Sequence, residues 1–299
     1  MKNSLQPTLR ERLARLDQMP SIPVALLPLL RSLEQPLDRL EMQEIVDLIL
    51  QDGSLAAQCL HLVNSPLFGQ WQTVDSIRGA VALLGMQRMR DIAVSCSVLK
   101  LMPNNSADFD PVVFWEHSLA CALVCRHFAQ RVGFSDPRKA YLSGLLHDIG
   151  IVAHLWIEPK GFQAALRLAR TEGLPLHQAE QTVLGQTHCE TGKIVAVRWR
   201  LNPDLAAVVG CHHEPASTDT HRGLVAIVSL SDLLCRMNGL GYGYVEQQQV
   251  SFAEEPCLAF LVKEYPSLKI FDWARFTFEV EAYLEEVQRV VALTYSIAR

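Results

Sequence analysis

The chain has 299 residues, of which 49% are hydrophobic and 20% charged, with a formal net charge of −5. That balance excludes a disordered segment, which lacks the apolar surface needed to build a core. The negative charge and the absence of Lys or Arg runs set aside nonspecific nucleic-acid binding, so no nucleic-acid partner is expected.

Met1-Lys2-Asn3-Ser4 leads into a charged, amphipathic segment without the apolar core of a secretion signal. No apolar run approaches the length needed to span a bilayer, so no membrane association is expected. Eight cysteines without a Cys-x-x-Cys pair read as reduced thiols, and the expected compartment is the cytoplasm.

Strand signals are nearly absent, and apolar positions recur at helical spacing, as at Leu40, Ile45, Leu48 and Ile49. The expected fold is therefore all-α. Ser21 caps a first helix with Pro23 in its first turn, Pro28 predicts a kink or break, and Gln35-Pro36 ends it. The apolar stretch Ser21–Leu30 is expected to be buried against neighbouring helices. Asn64-Ser65-Pro66 closes another helix, and Pro103-Asn104-Asn105-Ser106 forms a turn-rich linker. This divides the chain into an N-terminal helical lobe, residues 1–105, a second lobe, residues 106–237, and closing helices, residues 238–299. The two lobes are expected to share a core.

The second lobe predicts helices at 112–132, 137–147, 160–172, 176–185, 188–199, 203–211 and 221–237. Asn202 caps the sixth of these and Pro203 opens it. His147 and Asp148 fall where a hydrophobic helix ends before Gly150, a C-terminal stop that lets adjacent side chains converge. A loop at 238–250 precedes helices at 254–264 and 273–297.

Seven side chains of metal-ligating type follow one another through the second lobe: His117, His147, Asp148, His188, His212, His213 and Asp232. Imidazole and carboxylate together suit Fe, Mn or Zn better than an all-oxygen Mg site, and a carboxylate can bridge two metals. The other five histidines, His61, His127, His154, His177 and His221, are expected at the surface or in lobe contacts. Cys121 and Cys125 read as small buried core residues, and Trp71, Trp115, Trp156 and Trp199 as core or interface packing. No Gly-x-Gly-x-x-Gly or Gly-Lys-Ser/Thr loop occurs, so ATP-dependent chemistry is not expected.

The segment Gly144-Leu145-Leu146-His147-Asp148-Ile149-Gly150, with the later His188 and His212-His213-Glu214, resembles the HD superfamily of metal-dependent phosphohydrolases. The order of ligands is similar to the HD-GYP branch, which hydrolyses cyclic diguanylate. Two of that branch's features are missing: the lysine of its HD-x-G-K motif falls at Ile151, and Pro215–Asp219 replaces its Gly-Tyr-Pro segment. Gly241-Tyr242-Gly243-Tyr244 lies beyond Asp232, lacks the proline, and is not a substitute.

The architecture as a whole resembles the HDOD domain, an HD-related output domain. The matching stretches are Met19–Pro23, Ile49–Asp52, Leu62–Pro66 with Phe68-Gly69, Ala80–Gly85, Phe114–Ser118, Gly144–Gly150 and Thr187–Gly192. The resemblance implies a multi-helix bundle and a regulatory module of bacterial signalling whose output is binding. Its partner would be another signalling protein or a small phosphorylated ligand. It also implies a divalent metal centre on the seven residues, dinuclear if Asp148 bridges, with His147 and Asp232 on one metal. The alternative is a phosphohydrolase acting on a nucleotide or cyclic dinucleotide through Asp148 and a metal-activated water.

Overall fold

The structure, a computed structural model, describes residues 24–32, 42–65, 73–103, 109–247 and 251–297. The Ser21 cap with Pro23, Gln35-Pro36, Leu40, Pro66, Phe68-Gly69, Trp71 and Asn104–Ser106 lie outside the described residues. Among those described, all regular structure is helical and no strand occurs. The chain divides into two compact units that do not follow one another along the sequence.

One unit takes in residues 21–102, 111–120 and 272–299. It contains α1 (Leu26–Ser32), α2 (Met42–Leu50), α3 (Gly53–Val63), α4 (Ile77–Leu99), the start of α5 (Pro111–Val132) and α14 (Trp273–Ile297). Pro28 does not kink α1. The helix begins at Leu26, so proline occupies its first turn, where its missing N–H displaces no helical bond. Leu26, Leu29 and Leu30 are buried, as the apolar stretch predicts. Asp52 caps α3 by accepting from the Ser54 and Leu55 N–H groups at 3.0 and 3.1 Å, and it pairs with Lys100. Within α4, Gly85 adopts φ 83°, a conformation that favours glycine, and breaks the helix into two halves.

The other unit takes in residues 103–110 and 121–271, and it carries the candidate site. After the rest of α5 come α6 (Pro137–Leu146), α7 (Ile149–Ile157), α8 (Pro159–Glu172), α9 (Leu176–Leu184), α10 (His188–Trp199), α11 (Pro203–Cys211), α12 (Arg222–Met237) and α13 (Pro256–Glu264). Single turns of 3₁₀ helix lie at Pro215–Ser217 and Phe252–Glu254, and a longer one at Pro266–Ile270. Proline in the first turn opens α6, α8, α11 and α13, where its fixed φ is already helical.

Two sequence expectations fail here. Asn202 precedes α11 as predicted but makes no side-chain capping bond. Gly150 is not a helix stop; it lies inside α7, which the sequence reading leaves out. A Cβ built on Gly150 would sit 1.9 Å from the His188 carbonyl oxygen, so the residue is glycine because α7 and α10 approach too closely for any side chain. Helices α6 and α7 together amend one part of the membrane reading, that no apolar run approaches bilayer length. Residues 137–157 are long and apolar enough to cross a bilayer by length and composition, and 89% of that stretch's most apolar window is buried inside the protein.

Candidate metal centre

The ligand-type residues are delivered mostly by helix ends. His147 closes α6 with helical torsions, φ −54° and ψ −35°, whereas Asp148 leaves the helix at φ −97° and ψ 16° before α7 begins. That break lets neighbours in sequence aim at one point. His188 is the first residue of α10, held there by a capping box: Thr187 Oγ1 accepts from the Glu190 N–H and Glu190 accepts from the Thr187 N–H. His212 ends α11, His213 follows it, and Asp232 projects from α12.

Within this unit, six of the predicted residues meet. The two oxygens of Asp148 face different histidines: Oδ2 lies 3.2 Å from His147 Nε2, and Oδ1 lies 3.3 Å from His188 Nε2 and 3.4 Å from His212 Nε2. The His188 and His212 Nε2 atoms are 3.3 Å apart. Asp232 stands farther out, with Oδ1 3.9 Å from His147 Nε2 and Oδ2 3.8 Å from His213 Nδ1. Cys121, His147 and Asp232 offer ligand atoms within 4.8 Å of one another, as do His188, Cys189, His212 and His213. The seventh residue, His117, is buried on α5 one turn before Cys121 and belongs to the other compact unit.

Around this core the remaining ring nitrogens are anchored. His147 Nδ1–H donates to the Gly144 carbonyl at 2.7 Å, His188 Nδ1–H to Glu180 at 2.7 Å, and His212 Nδ1–H to the Val208 carbonyl at 3.1 Å. Each bond leaves Nε2, the nitrogen free to bind a metal, facing Asp148. Arg236 Nε reaches both oxygens of Asp232 at 3.1 Å, and the Tyr242 hydroxyl donates to Asp148 Oδ2.

The electrostatics follow from burial and crowding. Burial alone would raise the Glu180 carboxyl, but His188 and His154 outweigh it and bring its pKa down to about 2. Burial and the neighbouring imidazoles push His213 well below its ordinary range. Burial likewise leads in lowering His177 to about 4, with His188 adding to it. Burial would raise the Cys189 thiol, yet His212 and His188 pull it down to about 6.

Several functional neighbours are absent from the sequence reading. Glu180 carries no motif, and Cys189 was signalled only by its adjacency to His188. Tyr242, in the set-aside Gly-Tyr-Gly-Tyr stretch, contacts Asp148 after all. His154 corrects a surface assignment. It is buried in α7, with Nδ1 3.2 Å from Glu180 and Nε2 2.6 Å from Thr191 Oγ1. His177 is also misplaced by the sequence reading, since its ring stacks on His213 at 4.2 Å. Cys121 and Cys125 are buried as expected, and burial raises both thiols. Trp115 and Trp199 are buried.

Two cavities reach the centre and share His213, Glu214 and Ser217 in their walls. The larger, about 590 Å³, is flanked by Arg222, whose guanidinium lies 4.9 Å over the Phe260 ring. The smaller, about 310 Å³, is lined by His177, Thr187, Cys189, Lys193 and the carboxylate of Glu190.

The sequence model of the HDOD domain family matches residues 19–215. An HDOD domain protein of unknown function from Geobacter sulfurreducens has the same fold, with a TM-score of 0.80 and 27% identity over 95% of this chain and 98% of its own. A protein from Shewanella amazonensis SB2B, provisionally named a phosphohydrolase, superposes with a TM-score of 0.69 at 21% identity, covering 94% of this chain and 97% of its own. An uncharacterized protein of Treponema pallidum (strain Nichols) is 25% identical over 224 residues, which are 74% of this chain and 43% of that protein's length. The chain thus spans less than half of this curated relative. With well over half of its length matched, the chain belongs to the HDOD family.

Proposed function

We propose that this chain is a signalling HDOD module that holds divalent metal and whose output is binding of a partner protein or a small phosphorylated ligand. The observation that carries the metal reading is the convergence of three imidazoles, each tied at Nδ1, on the two oxygens of Asp148. The donor set fits a metal. Ligands about 2.0–2.1 Å from a tetrahedral ion stand about 3.3–3.4 Å from one another. His188 Nε2, His212 Nε2 and Asp148 Oδ1 are separated by 3.3, 3.3 and 3.4 Å.

His147, Asp148, His188, His212, His213 and Asp232 would hold the ion or ions. Mixed imidazole and carboxylate ligation selects Fe, Mn or Zn. When bound, such a metal supplies a Lewis acid for an oxygen of a phosphorylated ligand. Asp148, facing two histidine groups with separate oxygens, is the residue suited to bridging. Protein purified without chelator should contain metal by elemental analysis. Asp148→Ala should lose most of it, and His127→Ala should match wild type. Equal metal in wild type and Asp148→Ala removes the shared centre.

Hydrolysis of a nucleotide or cyclic dinucleotide is the second reading, and one observation favours it: Lys193 and Arg222 line the cavities beside His213. Against turnover of cyclic diguanylate stands Ile151, fully buried in α7 where the hydrolase branch has its lysine. Substrate that is poorly positioned reacts orders of magnitude more slowly. The expected result with Mn or Fe is no multiple turnover of cyclic diguanylate. Linear product released by wild type and abolished in Asp148→Ala would put the enzyme reading first.

A further inference from the structure

The α10 side of the centre has a donor that neither the HD pattern nor the ligand order contains. Cys189 follows His188 in the first turn of α10, and the Thr187–Glu190 capping box fixes that turn. Its Sγ stands 3.7 and 3.8 Å from the two ring nitrogens of His212. His188, Cys189, His212 and His213 each place a ligand atom within 4.8 Å of the others. These spacings can be compared with those a metal imposes. Zn–S near 2.3 Å and Zn–N near 2.0–2.1 Å put tetrahedral N and S ligands about 3.6 Å apart and two N ligands about 3.4 Å apart. His188 Nε2 and His212 Nε2 stand 3.3 Å apart, as two such nitrogens would, whereas Cys189 Sγ lies almost equidistant from both His212 nitrogens and has to turn toward Nε2 to share its ion.

The surroundings suit a ligand rather than a packing residue. Cys189 is a free cysteine, and although nearly buried it borders the 310 Å³ cavity, which gives an ion a route of entry. Cys125, by contrast, is a fully buried core thiol on α5. Two of the three imidazoles around Cys189 are already oriented by their Nδ1 bonds, so their Nε2 atoms are available to the same ion.

We propose that Cys189 is a thiolate ligand of the metal position bounded by His188 and His212, with His213 or Asp148 as the fourth donor. This site would take zinc or another thiolate-accepting ion in preference to Mn. The consequence is a centre whose α10 side binds metal through sulfur as well as imidazole. Soft sulfur favours Zn and disfavours the hard ions that carboxylate-rich sites accept.

This inference rests on the metal-binding reading above, and cobalt(II) separates the two. Full-length apoprotein titrated with Co(II) should show visible ligand-field bands together with a near-ultraviolet thiolate-to-cobalt charge-transfer band. Cys189→Ser should lose the charge-transfer band while still binding cobalt, and circular dichroism should show its helices intact. Cobalt bound without charge transfer, or a band that survives in Cys189→Ser and vanishes in Cys121→Ser, overturns the Cys189 assignment and leaves the metal reading standing. No cobalt binding at all overturns both. Should Cys189→Ser not fold, wild-type protein answers the question by alkylation: bound zinc should protect Cys189 from iodoacetamide, and equal modification with and without zinc overturns the proposal.

Discussion

Glu180 shows how a residue outside the ligand set controls the site. Its carboxylate accepts from both the backbone N–H and the Nδ1–H of His188 at 2.7 Å, and it touches His154 at 3.2 Å. Glu180→Gln keeps the shape but turns part of an acceptor-only group into a donor, so the His188 tautomer is no longer held. Metal affinity should fall by ~10–100-fold, measured by competition against a chromophoric chelator. Unchanged affinity would show that Glu180 matters only for packing. The imidazoles and carboxylates themselves were legible from the sequence, because His147-Asp148 and His212-His213 are rare adjacent pairs. Glu180, His154 and Tyr242 were not. Each reaches the centre through packing of helices far apart in sequence, and a lone Glu, His or Tyr has no spacing that announces it.

At the scale of elements, Gly150 decides whether the ligands can converge. It sets α7 against α10; Asp148 immediately precedes α7 and His188 begins α10, and their facing atoms are 3.3 Å apart. Gly150→Ala forces a Cβ to within 1.9 Å of a carbonyl oxygen, so the helices must separate. Overpacking of this kind costs ~1–3 kcal/mol, read as a lower denaturant midpoint, and metal content should drop with it. Gly53→Ala is the control: nothing lies within 4 Å of its added Cβ, and stability should stay within ~0.5 kcal/mol of wild type. A wild-type midpoint for Gly150→Ala would remove the close-approach argument. Most helix limits were readable because prolines open α6, α8, α11 and α13 in their first turns. The reading failed at α7 because a glycine needed for close approach and a glycine needed for a helix stop look identical in one sequence.

At the scale of the whole molecule, compactness does not follow chain order. Helices α1 to α4 share their unit with residues 111–120 and with the C-terminal α14. Helix α14 presents Phe276, Val280, Leu284, Val287 and Val291 along one face, all buried. Their spacing of four, four, three and four residues is a continuous apolar stripe. At ~1.5–3 kcal/mol for each fully buried side chain, their loss is on the order of the entire stability of a small domain. A fragment ending at residue 105 lacks both α14 and the start of α5, although it retains every N-terminal helix. It should therefore unfold without a cooperative transition, followed by far-ultraviolet circular dichroism on heating. A fragment covering residues 1–271 keeps α5 but loses the stripe, and its N-terminal amides should exchange with deuterium faster than in the full chain. A sharp thermal transition in the 1–105 fragment, at the full chain's midpoint, would show that α14 is dispensable and that the apolar stripe serves some other end.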